Sequence, residues 1–300
     1  MPARYCWFAI FFLLTTPLAH AQKPSRFVDL SLLVAENYPC TWPEGFPRFR
    51  LTHVRKIGRK SAYNIDTLNI DGNTGTQMDV PPHSVARPEL KLPNSGPYGN
   101  EFTEKVPAWK FVGEACIIDL RELLDTGAPG VSPLITRQHV QAWEAKYRPF
   151  RFGDAVLFRS DYSDKYYQPL PAGRRFVADV IEKQYSGYPD PDPTTMDYIA
   201  SRNVFHIGTD SPSMGTLPSE LADPAHLAAL KYGAIFTEGA TGLGQLPVTG
   251  AFYCMMGPKH AGGPYGEGRS FAIVGDLAPT LIASAKNKRA KDLSVTMLIE

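Results

Sequence analysis

The sequence is poor in cysteine: four in 300 residues, at positions 6, 40, 116 and 254, with no Cys-x-x-Cys pair. That spacing argues against a zinc ribbon or a dense disulfide framework, although an exported chain can still join two of Cys40, Cys116 and Cys254. Cys116, inside the apolar run ACIIDL, reads as a small buried hydrophobe rather than a nucleophile. Excess charge is missing too, with 31 Lys+Arg against 30 Asp+Glu. Without a basic stripe to displace counterions, a nucleic-acid partner is not expected. There is no Gly-x-Ser-x-Gly elbow and no Gly-Lys-Ser/Thr phosphate loop, which removes the commonest serine-hydrolase and nucleotide-binding readings. Internal repeats and low-complexity tracts are also absent.

Long apolar runs are confined to the opening stretch, MPARYCWFAIFFLLTTPLAHA. Arg4 precedes the run, Thr15-Thr16-Pro17 interrupts it, and Ala19-His20-Ala21 forms a small-x-small cleavage pattern. The run falls short of the roughly 20 residues a spanning helix needs. Residues 1–21 therefore read as a signal peptide cut before Gln22. The expected product, residues 22–300, is exported to the periplasm or medium with no membrane attachment. Its acidic and basic residues balance once Arg4 is lost. That length suits one large domain or two small ones.

Strand-like segments dominate, at Phe27–Leu33, Ser61–Ile70, Ala115–Leu120, Ala155–Arg159, Ala234–Thr237 and Phe271–Val274. Each is rich in β-branched or aromatic residues between turn formers. Helical spacing appears over Thr136–Tyr147, with His139 on an exposed face, and over Thr194–Ser201, where Thr194 and Asp197 suggest a capping box. A third helix starts at Asp223-Pro224-Ala225-His226, with Asp223 as N-cap and Gly233 as a left-handed stop. His226 then lies in the first turn, where the helix dipole favours a neutral, metal-competent ring. The pattern predicts an α/β or α+β domain with a mixed sheet. Pro-rich connections at 38–47, 87–107 and 186–193 are long enough to be functional.

The stretch NTGTQMDVPPH carries the chemistry. In an extended segment Gln77 and Asp79 point the same way, Gly75 permits close backbone approach, and Pro81-Pro82 stiffens the exit to His83. Carboxylate, amide and imidazole donors converging there suit a divalent cation, Mn²⁺ or Zn²⁺ in particular. A hydrogen-bonded turn pair of Asp79 and His83 is the structural alternative. Asp210 is expected to brace the site through hydrogen bonds, and His206 to be core, support or substrate contact. Trp42 and the loop from Tyr98 to Phe102 can wall a flat substrate, or pack on their own domain. The glycines around Tyr265 form a turn or lid.

These residues resemble the cyclase family, which includes bacterial kynurenine formamidases and isatin hydrolases. The family signature is His-x-Gly-Thr-His-x-Asp-x-Pro-x-His. Gly75, Thr76, Asp79, Pro81 and His83 match it, while Asn73 and Gln77 stand where the family has histidine. Asp29-Leu30-Ser31, Gly208-Thr209-Asp210-Ser211-Pro212-Ser213 and Gln245-Leu246-Pro247 continue the resemblance in the same order. It implies a single compact domain with a barrel-like mixed sheet, often dimeric. It also implies Asp79, His226 and Glu238 as metal ligands and His83 as catalytic base, with Gln77 and Asn73 as amide ligands. Two carboxamides bind transition metals more weakly than two imidazoles, so one ion fits better than a tightly held pair. Taken alone, Glu238 also fits a strand cap or a partner for Arg269. The expected function is hydrolysis of a small amide, lactam or lactone by metal-activated water. The alternatives are a metal-dependent lyase or cyclase, and a small-molecule-binding protein without turnover.

Overall fold

The computed structural model describes residues 24–296 except 41, 44–45 and 219–221. The expected signal peptide lies outside the described residues. Thirteen strands occur among them: β1 (Arg26–Asp29), β2 (Arg50–Arg55), β3 (Ile65–Asn69), β4 (Gln77–Asp79), β5 (Val112–Asp119), β6 (Leu134–Ile135), β7 (Asp154–Arg159), β8 (Asp190–Pro191), β9 (His206–Thr209), β10 (Ile235–Glu238), β11 (Phe252–Met256), β12 (Tyr265–Glu267) and β13 (Arg269–Val274). The α-helices are α1 (Arg137–Lys146), α2 (Tyr162–Tyr166), α3 (Ala178–Ile181), α4 (Pro193–Ala200), α5 (Ala222–Leu230) and α6 (Leu277–Thr296).

Nine strands form one mixed sheet in the order β1-β13-β11-β5-β7-β9-β10-β4-β12. Its middle, β5-β7-β9-β10, is parallel, and both flanks are antiparallel. The sheet curls into a half-barrel with helices packed against it, as the mixed, barrel-like expectation required. The parallel strands are apolar on both faces because both faces are covered. Along β5, Cys116 and Ile118 join Val140 and Trp143 of α1, Met196 and Ile199 of α4, and Ala228 and Ala229 of α5. Their neighbours Ala115 and Ile117 turn instead toward Val28, Met78, Tyr253 and Ala272 inside the curl.

The helix expectation for α1 holds in detail. The Thr136 backbone N–H donates to His139 Nδ1 at 2.9 Å in a capping box, so His139 is half-buried rather than a free surface ring. For α4 the cap is Asp192, whose carboxylate accepts the Thr195 N–H at 2.8 Å, in place of the Thr194/Asp197 box. α5 begins at Ala222, placing Asp223 inside the first turn instead of at the N-cap. Gly233, at φ 79°, ends that segment as expected.

Strands β9 and β12, short and Gly-containing, and helix α6, with Pro279 in its first turn, were not anticipated, and neither was β11, five residues without glycine. The expected strand at 61–70 shrinks to β3, which pairs only with β2 in a separate hairpin. Every residue of that hairpin's two strands is exposed. Cys40, Cys116 and Cys254 are free and buried. Among the described residues no helix is long and apolar enough to cross a membrane.

Candidate metal centre

Strand β4 lies between β10 and β12, with Gln77 opposite Glu238 and Asp79 opposite Phe236. Side chains alternate along a strand and directly opposed residues share a face, so Gln77, Asp79 and Glu238 all point toward α5 while Met78 points into the curl. Gly75, at φ 68°, makes the approach to β4 possible; a Cβ there would lie 2.7 Å from Val34 Cγ2. Past β4, Val80 leads into a single helical turn, Pro81–His83, that folds His83 back over the strand end. α5 then lays His226 across the Phe236 ring, with centroids 5.6 Å apart.

Five residues meet here. His226 Nε2 is 3.7 Å from Asp79 Oδ2 and 3.3 Å from Glu238 Oε1. The His83 and His226 rings are 5.4 Å apart, and the Tyr265 ring meets His83 edge-on at 5.1 Å. Ligand atoms of Asp79, His83 and His226 all lie within 4.8 Å of one another. His226 Nδ1–H donates to the Ala222 carbonyl at 2.9 Å, one helical turn back, which leaves Nε2 aimed at the two carboxylates.

The two carboxylates are dressed differently. Glu238 Oε1 accepts the Met214 N–H at 2.6 Å and Oε2 accepts the Gln77 amide at 2.6 Å. Asp79 is fully buried, and neither of its oxygens has a hydrogen-bond partner. Burial, followed by the charge of Glu238, pushes the Asp79 carboxyl well above its ordinary range. Burial also lowers the His83 ring to about 4, with the neighbouring His226 adding to the effect. Burial pulls His226 down as well, but contacts with Glu238 and the charges of Glu238 and Asp79 outweigh it and raise the ring to about 9. The helix end was expected to keep His226 neutral; the neighbouring carboxylates outweigh it and favour the protonated ring. Buried carboxyls without hydrogen-bond donors are costly to ionise, and a bound cation would offset that cost here in place of protons. The donor set therefore fits a divalent cation, held by Asp79 with His226, His83 and Glu238 in reach.

Gln77 meets Glu238 through its amide nitrogen, and Asn73 accepts from that same nitrogen at 3.2 Å. Trp42 packs against the aromatic cluster around Phe176 and Val177. It lines a cavity of about 210 Å³ with Tyr38 and Phe49, and an adjoining cleft that reaches Asn73 and Gly75. Tyr98 and Phe102 line neither: the Tyr98 ring lies over Lys110, and Phe102 sits between Arg87 and Lys105. His206 is core, since it is buried and its Nδ1 and Nε2 meet the Lys110 carbonyl and Thr237 Oγ1 at 3.0 and 2.8 Å. Asp210 accepts from Ser160 N, Ser160 Oγ and Asp161 N and so fastens the turn after β7. Arg269 pairs with Asp29, not with Glu238.

Two features had no sequence signal. Asp190, from the PDPDP run read as loop, is fully buried with both oxygens unpartnered; burial, then the charges of Glu238 and Asp210, push its carboxyl up. Met214 and Gly215 belong to a loop folded over the centre, a placement that pattern cannot encode because it depends on α5 closing behind them.

A family model described as putative cyclase matches residues 28–216 of the chain. Isatin hydrolase of Roseibium aggregatum is 23% identical, the match covering 67% of this chain and 72% of that protein. Kynurenine formamidase of Salinibacter ruber is 25% identical, covering 62% and 69%. Among solved structures, an isatin hydrolase bound to the product analogue thioisatinate superposes with a TM-score of 0.69 at 18% identity, covering 84% of this chain and 93% of that one. Isatin hydrolase A from Ralstonia solanacearum gives 0.67 at 23% identity, covering 83% and 92%. These structures share the fold.

Proposed function

The chain belongs to the cyclase family, and on that premise we propose that it is a metal-dependent hydrolase acting on a small amide, lactam or lactone. The observation that carries this reading is Asp79, buried and bare between His83 and His226. Asp79 and His226 would hold the ion, with Glu238 beside them, and Mn²⁺ or Zn²⁺ suits this mixed oxygen and nitrogen set. When bound, such an ion polarises a carbonyl and acidifies water.

The residues supply the rest. His83, whose ring lies 5.4 Å from that of His226, faces the same point and would take the proton from the attacking water. Ala222 fixes the His226 ring through Nδ1, and Met214 and Gln77 fix Glu238, so the centre needs little rearrangement. The cavity of about 210 Å³ walled by Trp42, which adjoins the narrow cleft beside Asn73, receives the small-molecule substrate. Names of the relatives suggest formyl-kynurenine and isatin as first substrates to try.

Turnover of these compounds and of simple lactones, with Mn²⁺ or Zn²⁺ and with chelator, tests the proposal. No metal-dependent turnover on any of them, and no change in Asp79→Ala, would sink it. His83→Asn separates base from ligand: the base reading expects metal retained and turnover lost. Product mass separates hydrolysis from elimination, because only hydrolysis adds water. The hydrogen-bonded carboxamides favour a second reading, a binding protein without turnover. In that case a small ligand raises the melting temperature and metal does not.

Export after removal of residues 1–21 is part of the same proposal, and the N-terminus of the mature protein, expected at Gln22, checks it. So is a homodimer, supported by Val54, Ile57, Tyr63 and Leu68, apolar side chains exposed along the β2–β3 hairpin. Light scattering should give twice the chain mass.

A further inference from the structure

A line of four side chains beside Asp79 has its hydrogen-bond directions fixed at both ends. Asp71 Oδ1 lies 2.8 Å from Asn73 N and 2.9 Å from Asn73 Nδ2. Carboxylate oxygens accept, so the Asn73 nitrogen faces Asp71 and its oxygen faces Gln77. At the far end Glu238 Oε2, 2.6 Å away, demands the nitrogen of Gln77 by the same rule. The Gln77 NH₂ therefore spends one hydrogen on Glu238 and the other on Asn73 Oδ1 at 3.2 Å.

We propose that this relay, Asp71–Asn73–Gln77–Glu238, sets the metal count at one. Gln77 acts as the positioning residue that holds Glu238 and closes the opposite side of the centre to a second cation. An ion entering between Asn73, Gln77 and Glu238 meets the positive ends of two N–H dipoles and two acceptors already in use. Among the described metal-ligand candidates, the fully buried oxygens without a hydrogen-bond partner are those of Asp79, which lies with His83 and His226. Asp71 belongs to the device although it is remote from the ion, because it orients Asn73 and so forbids the flipped arrangement that would present acceptors. The inference rests on the metal-dependent reading but concerns stoichiometry rather than turnover.

Equilibrium dialysis of the full chain against Mn²⁺ or Zn²⁺, followed by elemental analysis, tests it. The wild-type protein should retain one ion per chain. The double variant Asn73→His/Gln77→His replaces the donors by ring nitrogens able to bind metal and should retain two, and a melting curve shows whether it is folded. If it is not, Gln77→Glu serves, since a second carboxylate 2.6 Å from Glu238 should also recruit a second ion. Two ions in wild type overturn the proposal. So does one ion in folded variants, because the relay then does not set the count. No ion in wild type overturns the metal reading itself, a different failure.

Discussion

Asp79 and Asp210 are both fully buried and both close a strand of the same sheet, yet they are built for opposite ends. Asp210 accepts three donors from the turn after β7, at 2.8, 2.6 and 2.6 Å, and its own carbonyl takes the Ser163 N–H and hydroxyl. Asp79 accepts none and is flanked by imidazoles. A dressed carboxylate stores its interactions inside the fold; a bare one keeps them for a ligand. Bareness alone is not enough, as Asp190 shows. It too is unpartnered, but its charged neighbours are Glu238 and Asp210, with no imidazole among them.

The widest separation between the two should come from their replacement. Asp79→Asn is expected to abolish metal retention and to lower kcat/KM by roughly 10³-fold or more, because the several kcal/mol that an ion supplies go with it. The metal-free variant should melt no lower than metal-free wild type, since an unpaired buried carboxylate has been removed. A large drop in melting temperature with metal binding intact would break the contrast.

Asp210→Ala should do the reverse. It strands buried donors of Ser160 and Asp161 at a cost of about 3 kcal/mol, or roughly 6–12 °C in melting temperature. Metal retention at saturating ion should stay at the wild-type count. Loss of the ion in a folded Asp210 variant would show that the brace and the centre are one unit.

A smaller effect is expected at Asp190, and it depends on pH. Its folded-state carboxyl is raised above the usual 3.8. The native chain thus holds a proton that the unfolded chain releases, and stability drains away as pH rises from about 4 through the native pKa. Asp79 and Asp210, also raised by burial, share that decline, so Asp190→Asn should make it shallower and raise the melting temperature at pH 7 by about 3 °C. An unchanged slope between pH 4 and 7 would mean that another group carries it.

Legibility followed the same division. The motif from Asn73 to His83 was readable because its residues are consecutive on one short strand and turn, where alternation alone places Gln77 and Asp79 together. α1 was readable to within a residue because its cap, apolar stripe and stop are local. His206, Tyr98 and Phe102 were not. Nothing local distinguishes a histidine bonded to Lys110 and Thr237 from one facing substrate, because those partners are 96 and 31 positions away. β9 and β12 escaped notice because strands of four and three residues carry too little pattern.

The sequence by itself determined strands β5, β7 and β10, the cap and stop of α1, the stop after α5, and the donor types available at Asp79, His83, His226 and Glu238. All of these follow from short-range periodicity and side-chain chemistry. Tertiary structure decided which carboxylate is bare, which way the amides of Asn73 and Gln77 point, and that His226 senses carboxylates more strongly than its helix end. Those outcomes depend on β4 pairing with β10 across 161 positions and on α5 covering the result. Hydrogen bonding and desolvation are settled by what surrounds a group in space, and no window of sequence contains those surroundings.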